Sequence, residues 1–217
     1  MPLRAALNWL RDAAAEVYAA QAPGLLKDIW LARNEYIRLF AVPSRQNAEA
    51  FLSGHAARPL SAGEKTRALK LLELQKDVAF MFTSCGWFFS DISRIEPVQN
   101  LKYAARAAAT LAELGFTNIE KGFTALLELA PSNHAAFGNG RKIYETQARA
   151  TLPTWEAVAA FRLVEKFLFG LPDGSGPALE PKEQGVPLAD PGPTLFTLFS
   201  DKPGVSRVAR SETIQRS

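Results

Sequence analysis

The chain holds one cysteine, two histidines and two methionines among its 217 residues. A single cysteine excludes a disulfide scaffold, and one cysteine with two histidines excludes most structural zinc patterns. No apolar run reaches the roughly 18 residues of a membrane span. Arg4, Arg11 and Asp12 interrupt the apolar stretches at the N-terminus, which therefore does not read as a secretory signal. Charge of one sign is also scarce: Lys and Arg total 25 against 22 acids. A surplus so small and so evenly spread does not mark a nucleic-acid binder. The expectation is a protein of the reducing cytoplasm with no metal, cofactor, nucleic-acid or membrane partner. What is abundant is apolar: 47% of the residues, enough for a packed core.

Residues 3–170 read as a run of six to eight amphipathic helices, an all-α array or bundle. Leu3, Leu7, Leu10, Ala14 and Val17 recur at steps of three and four, one face of a first helix that Pro23-Gly24 stops. A second stripe passes through Leu26, Ile29 or Trp30, Arg33, Tyr36 or Ile37, and Phe40, and ends at Pro43. A short helix from Ser44 to Leu52 is closed by Ser53-Gly54. Ser61 and Glu64 have capping-box spacing ahead of Leu71, Leu74, Val78 and Met81, and Gly86 stands as the stop of that helix. Pro97 fits the first turn of a helix carrying Val98, Leu101, Ala105, Ala108 and Leu111, closed by Gly115. Its alanine-rich stretch 104–109 predicts close helix approach. Thr117 and Glu120 form a second capping-box pattern before Phe123, Leu126, Leu127 and Ala130. Segments 140–150 and 154–169 supply the last two patterns. Beyond Gly170 the periodicity stops, and residues 171–217 hold seven of the 14 prolines and five of the 14 glycines. That stretch is expected to be a largely disordered tail. Its one apolar cluster, 195–199, fits a single strand or a docking segment.

The densest unusual segment is 80–93, a helix–helix junction with five aromatics in fourteen residues. Trp87, Phe88 and Phe89 beside Ser90, Asp91 and Ser93 suit sugar binding: aromatic faces stack on a pyranose while carboxylates and hydroxyls hold its hydroxyl groups. The bare pattern favours a plainer alternative, a corner whose aromatics fill the core. Asp91 reads as a loop cap and Glu96 as helix N-terminal charge. A carboxylate pair for glycoside chemistry needs a separation of roughly 5–10 Å, which a spacing of five positions leaves open. Cys85 reads as a buried structural thiol, because His55 and His134 are far from it in sequence. The histidines read as solvated or capping groups, Asn139-Gly140-Arg141-Lys142 as a turn and cap, and Trp9, Trp30 and Trp155 as core.

Three strings carry a resemblance: LLKDIWLARNEYI (25–37), LKLLELQKDVAFMFTSCGWFFSDISRIEPVQNLKYAARA (69–107) and SNHAAFGNGRKIYE (132–145). Over residues 3–170 the chain resembles the helical C-terminal region of a bacterial group in glycoside hydrolase family 57, a region known as domain of unknown function 3536. The resemblance implies retaining hydrolysis of α-linked glucans, with amylase-, branching-enzyme- and α-mannosidase-like members. It places the catalytic carboxylates in an N-terminal β/α barrel against which the helical region packs. No position here matches those catalytic motifs, so no catalytic residue is assigned. Trp87, Phe88, Phe89 and Asp91 match the loop that faces the substrate cleft. Trp30, Arg33, Arg106, Asn133 and Tyr144 match recurrent positions without an assigned role.

The reading is an accessory helical domain of a family 57-like hydrolase, inactive alone, that completes the α-glucan cleft of a separate catalytic barrel. The alternatives are a stand-alone carbohydrate-binding or protein-interaction module and a non-functional gene fragment.

Overall fold

The computed structural model describes residues 1–42, 44–88 and 91–153, with the backbone of 195–199 and 206–210. The helical pattern over 154–169, with Trp155, lies outside the described residues, and so does the expected tail apart from those two strands. Contacts divide the chain into Met1–Ala41 with Glu49–Leu152, and Val42–Ala48 with Pro153–Ser217. In the second unit Leu195–Phe199 pairs antiparallel with Ser206–Arg210, so the apolar cluster is one strand of a two-stranded ladder.

Helix α1 spans Pro2–Gln21 and α2 spans Ile29–Ala41. Helices α3 (Arg45–His55) and α4 (Ala62–Phe80) follow. Helices α5 (Ile95–Glu113) and α6 (Ile119–Glu128) precede the short α7 (Gly140–Ile143), which continues as a π turn over Tyr144–Ala148. The helical part is all-α, as expected.

Leu3, Leu7, Leu10, Ala14 and Val17 are all buried on α1, which packs on α4 and α6. Helix α5 sits at the centre, against α4, α6 and the π turn. Its buried face includes Ala104, Ala105, Ala107 and Ala108, which let the neighbouring backbones approach closely. At the end of α5 the Phe116 amide donates to Leu111 O at 2.8 Å and the Gly115 amide to Ala112 O at 3.0 Å. This Schellman closure needs the left-handed φ of 102° that Gly115 adopts. The capping box at α4 forms with both bonds, Ser61 Oγ accepting from the Glu64 amide and the Glu64 carboxylate from the Ser61 amide.

Several sequence expectations are corrected. Helix α2 buries Ala32 and Leu39 and packs Ile29 and Tyr36 on the core after the buried Leu26, whereas Trp30, Ile37 and Phe40 of the expected stripe are exposed. Trp9 and Trp30 are therefore not core residues. Helix α3 runs through Ser53-Gly54 to His55, since Gly54 adopts helical backbone without strain. Asn118, not Thr117, stands at the N-cap of α6, and its side chain makes no capping bond. Gly86 does not stop α4, which ends at Phe80. Gly86 lies in a 3₁₀ turn, Ser84–Trp87, where its missing side chain makes room for Asn100.

A Cβ at Gly86 would stand 2.7 Å from Asn100 Cγ, whereas one at Gly54 would meet nothing within 4 Å. Gly86→Ala should therefore lower stability by about 1–3 kcal/mol through overpacking. Gly54→Ala should raise it by about 0.5–1 kcal/mol by restricting the unfolded chain. Urea midpoints of the two variants check the opposite signs.

Candidate functional site

The junction between α4 and α5 is held at two places. At its first end the Thr83 hydroxyl donates to Asn100 Oδ1, and Asn100 Nδ2 returns a bond to Thr83 O at 3.4 Å. Asn100 is fully buried, so this exchange satisfies polar groups that would otherwise be costly in the core. Gly86 fits against the same amide. At the second end lies Asp91, only 5% exposed. Its Oδ1 accepts from the Ser93 amide at 2.8 Å and from Ser132 Oγ at 3.0 Å. Its Oδ2 accepts from the Asn133 amide. The carboxylate thus ties the start of α5 to the turn after α6. Burial alone would raise its pKa, but the donors from Ser93, Asn133 and Ser132 outweigh burial and hold it well below the usual carboxylate range.

Between these anchors the aromatics take different roles. Trp87 is half-buried and stacks on Phe82, with centroids 6.3 Å apart. The Arg4 guanidinium lies 4.8 Å from both ring centroids, so one cation from α1 packs on the pair. Phe88 is 81% exposed. Phe89 and Ser90 lie outside the described residues. Cys85 is exposed, not the buried thiol expected from its apolar neighbours. The four expected substrate-binding residues therefore divide: Phe88 stands in solvent, Trp87 braces against α1, Asp91 is enclosed by its donors, and Phe89 is undescribed.

A second cluster joins α2, α4 and α5. Glu73 accepts from Tyr36 at 2.7 Å, from Arg106 at 3.0 Å and from Lys76. Arg106 Nε also stands 3.3 Å from Asp77 Oδ2. Asp77 is 1% exposed, and its Oδ1 makes no hydrogen bond; Lys76 Nζ is 3.7 Å away. Burial pushes the Asp77 carboxyl up to about 6, against the opposing pull of Arg106 and Lys76. Two carboxylates meet two cations, and the reachable oxygens of Glu73 are already engaged. The arrangement locks three helices together. It gives Arg106 a role that its sequence position left unassigned. The carboxylates Glu73 and Asp77, four positions apart on α4, were the overlooked signal: polar residues on a side of the helix that is otherwise buried.

The remaining unassigned positions also find partners. Trp30 packs on Tyr18 at 5.6 Å, and Arg33 lies 6.0 Å from the Trp30 ring. Tyr144 donates to Glu120 at 2.7 Å beside Arg149. His55 is buried, not solvated, with Nε2 at 3.1 Å from Glu35. Asn139 caps α7 through Lys142 N at 3.1 Å, the plain turn-and-cap role. Glu96 lies in the first turn of α5. Among the described residues no group of three or more His, Cys, Asp or Glu is placed to hold a metal ion, and no helix is long and apolar enough to cross a membrane.

A family model described as a domain of unknown function (DUF3536) matches residues 1–172. No curated protein and no solved structure matches the chain.

The two buried aspartates should titrate with opposite effects on stability. The raised pKa of Asp77 contributes stability that is fully present below about pH 4 and is lost as pH rises through about 6. The lowered pKa of Asp91 contributes stability present at neutral pH and lost as pH falls below about 4. Urea midpoints from pH 3 to 7 check this. Asp77→Asn should remove the loss between pH 4 and 6, and Asp91→Asn should flatten the acid limb.

Proposed function

Because the chain belongs to the DUF3536 family, we propose that residues 3–170 form an accessory domain of a family 57-like glycoside hydrolase. In this reading residues 171–217 are a tail. The domain is inactive alone, and it supplies an aromatic wall to an α-glucan cleft completed by a separate catalytic barrel. The link to that hydrolase family rests on the three strings at 25–37, 69–107 and 132–145. The observation that carries the functional reading is Phe88. A phenylalanine 81% exposed, on a junction anchored by Asn100 on one side and Asp91 on the other, does nothing for the core. An exposed aromatic face suits stacking on the apolar face of a pyranose. On either side in the chain, Trp87 is held by Arg4 and Phe82, and Asp91 by the turn after α6.

A second reading, a protein-interaction module, is favoured by the outer side of α2, where Trp30, Leu31, Ile37 and Phe40 are exposed together.

The test mixes the chain with a family 57 catalytic barrel and soluble starch. Association is followed by sedimentation velocity and hydrolysis by reducing ends. The accessory reading expects a complex, faster hydrolysis than with the barrel alone, and a gain reduced about two- to tenfold in Phe88→Ala, as the loss of one aromatic stack implies. No association and no change in hydrolysis would reject it. Association that survives Phe88→Ala, leaves hydrolysis unchanged and is lost in Ile37→Glu would select the interaction module instead.

A further inference from the structure

A cavity of about 470 Å³ lies between the second half of α3, the turn that follows it and the first turn of α4. That volume is in the range of small-ligand sites. Its apolar lining is aliphatic: Leu52 is buried, Ala56 and Leu60 are half-buried, and Pro59 is exposed. Its polar lining is Glu49, Ser53 and Lys65, with Arg58.

The frame of the cavity is fastened on both sides. The Ala57 amide donates to Leu25 O at 2.9 Å and the Lys27 amide to His55 O at 2.9 Å, around an antiparallel bridge between Leu26 and Ala56. The capping box of Ser61 and Glu64 fixes the start of α4. Arg58 is committed to that cap, with Nη2 donating to Glu64 Oε1 at 2.6 Å and Nη1 to Glu64 Oε2 at 3.2 Å. The other ion pair is less complete. Lys65 Nζ donates to Glu49 Oε2 at 2.6 Å. Among the described residues, Glu49 Oε1 and the remaining ammonium protons of Lys65 have no partner. The Ser53 hydroxyl donates to Glu49 O at 2.8 Å and keeps its lone pairs.

We infer that this cavity binds a neutral polyhydroxylated ligand, one pyranose unit of a saccharide, through two neighbouring hydroxyls that span the Glu49–Lys65 pair. One hydroxyl donates to Glu49 Oε1, and the next accepts from Lys65 Nζ. An anionic ligand would compete with Glu49 for the ammonium, and a cationic one with Lys65 for the carboxylate; each would open a contact already made. A diol uses only the free oxygen and the free protons, and the pair stays closed. Both new bonds involve a charged partner, which makes them stronger than bonds between neutral groups. The C–H groups of the ring meet the lining of Leu52, Ala56 and Leu60, a body that a small open-chain diol lacks. The inference is independent of Phe88, which does not line this cavity.

The experiment is a titration of the full chain with maltose, followed by amide shifts. Shifts are expected at Leu52, Ser53, Ala56, Leu60 and Lys65, and they should persist in Phe88→Ala. Lys65→Met keeps the apolar stem and removes the donors. An exposed ion pair adds little to stability, so this variant should melt as the parent does while binding maltose about tenfold more weakly. Ala56→Phe should fill the cavity and abolish the shifts. Absence of shifts across residues 52–65, or unchanged affinity in Lys65→Met, would overturn the inference. Equal shifts with sodium acetate or methylammonium chloride would overturn it too, by showing that the pair opens for a single charge. Shifts at Phe88 alone would reject this site and leave the Phe88 reading standing, and shifts across 52–65 alone would do the reverse.

Discussion

Four alanines on α5 constrain everything else. Ala104, Ala105, Ala107 and Ala108 are essentially without solvent contact, and none extends past Cβ. Helices can approach such a surface closely, so α4, α6 and the π turn all close on one rod. With the rod so tightly enclosed, its two ends become fixed points. The N-terminal end receives the junction from α4, and the C-terminal end turns sharply at Gly115 into α6. A larger residue in this stretch would push apart the elements that carry the corner at Phe88.

Buried carboxylates are costly unless paired, and the chain treats two of them differently. Asp91 is buried among amide and hydroxyl donors, so the charged form is favoured. Asp77 is buried near cations with one oxygen left without a hydrogen bond, so the neutral form gains. The first arrangement holds a loop at the surface, and the second holds three helices by facing charges. Both carboxylates are enclosed by groups of the chain itself.

Periodicity was a good guide wherever a helix has one buried side. The stripes of α1 and α5 are buried residue for residue. It was only half right on α2: of the stripe, Leu26, Ile29 and Tyr36 meet the core, while Trp30, Ile37 and Phe40 are exposed and Ala32 and Leu39 are enclosed. Spacing reports which residues share a face; it does not report which face meets the core. Capping patterns behaved similarly. Ser61 and Glu64 formed their box, but Thr117 and Glu120 did not, because α6 starts two residues later with Asn118 as its flank. At the corner, five aromatics in fourteen residues marked the segment without sorting it. Phe82 and Trp87 pack beneath Arg4, a partner some eighty positions earlier in the chain that no local pattern connects to them.

The amino-acid sequence by itself determined the helical class, most helix limits and the position of the unusual junction, because those follow from short-range backbone preferences and from spacing along a single helix. Only the tertiary structure decided which aromatic stands in solvent and which carboxylate is enclosed. Those outcomes depend on Arg4, Asn100, Ser132 and Asn133, residues far away along the chain, and they arise only when α1, α5 and the turn after α6 come together.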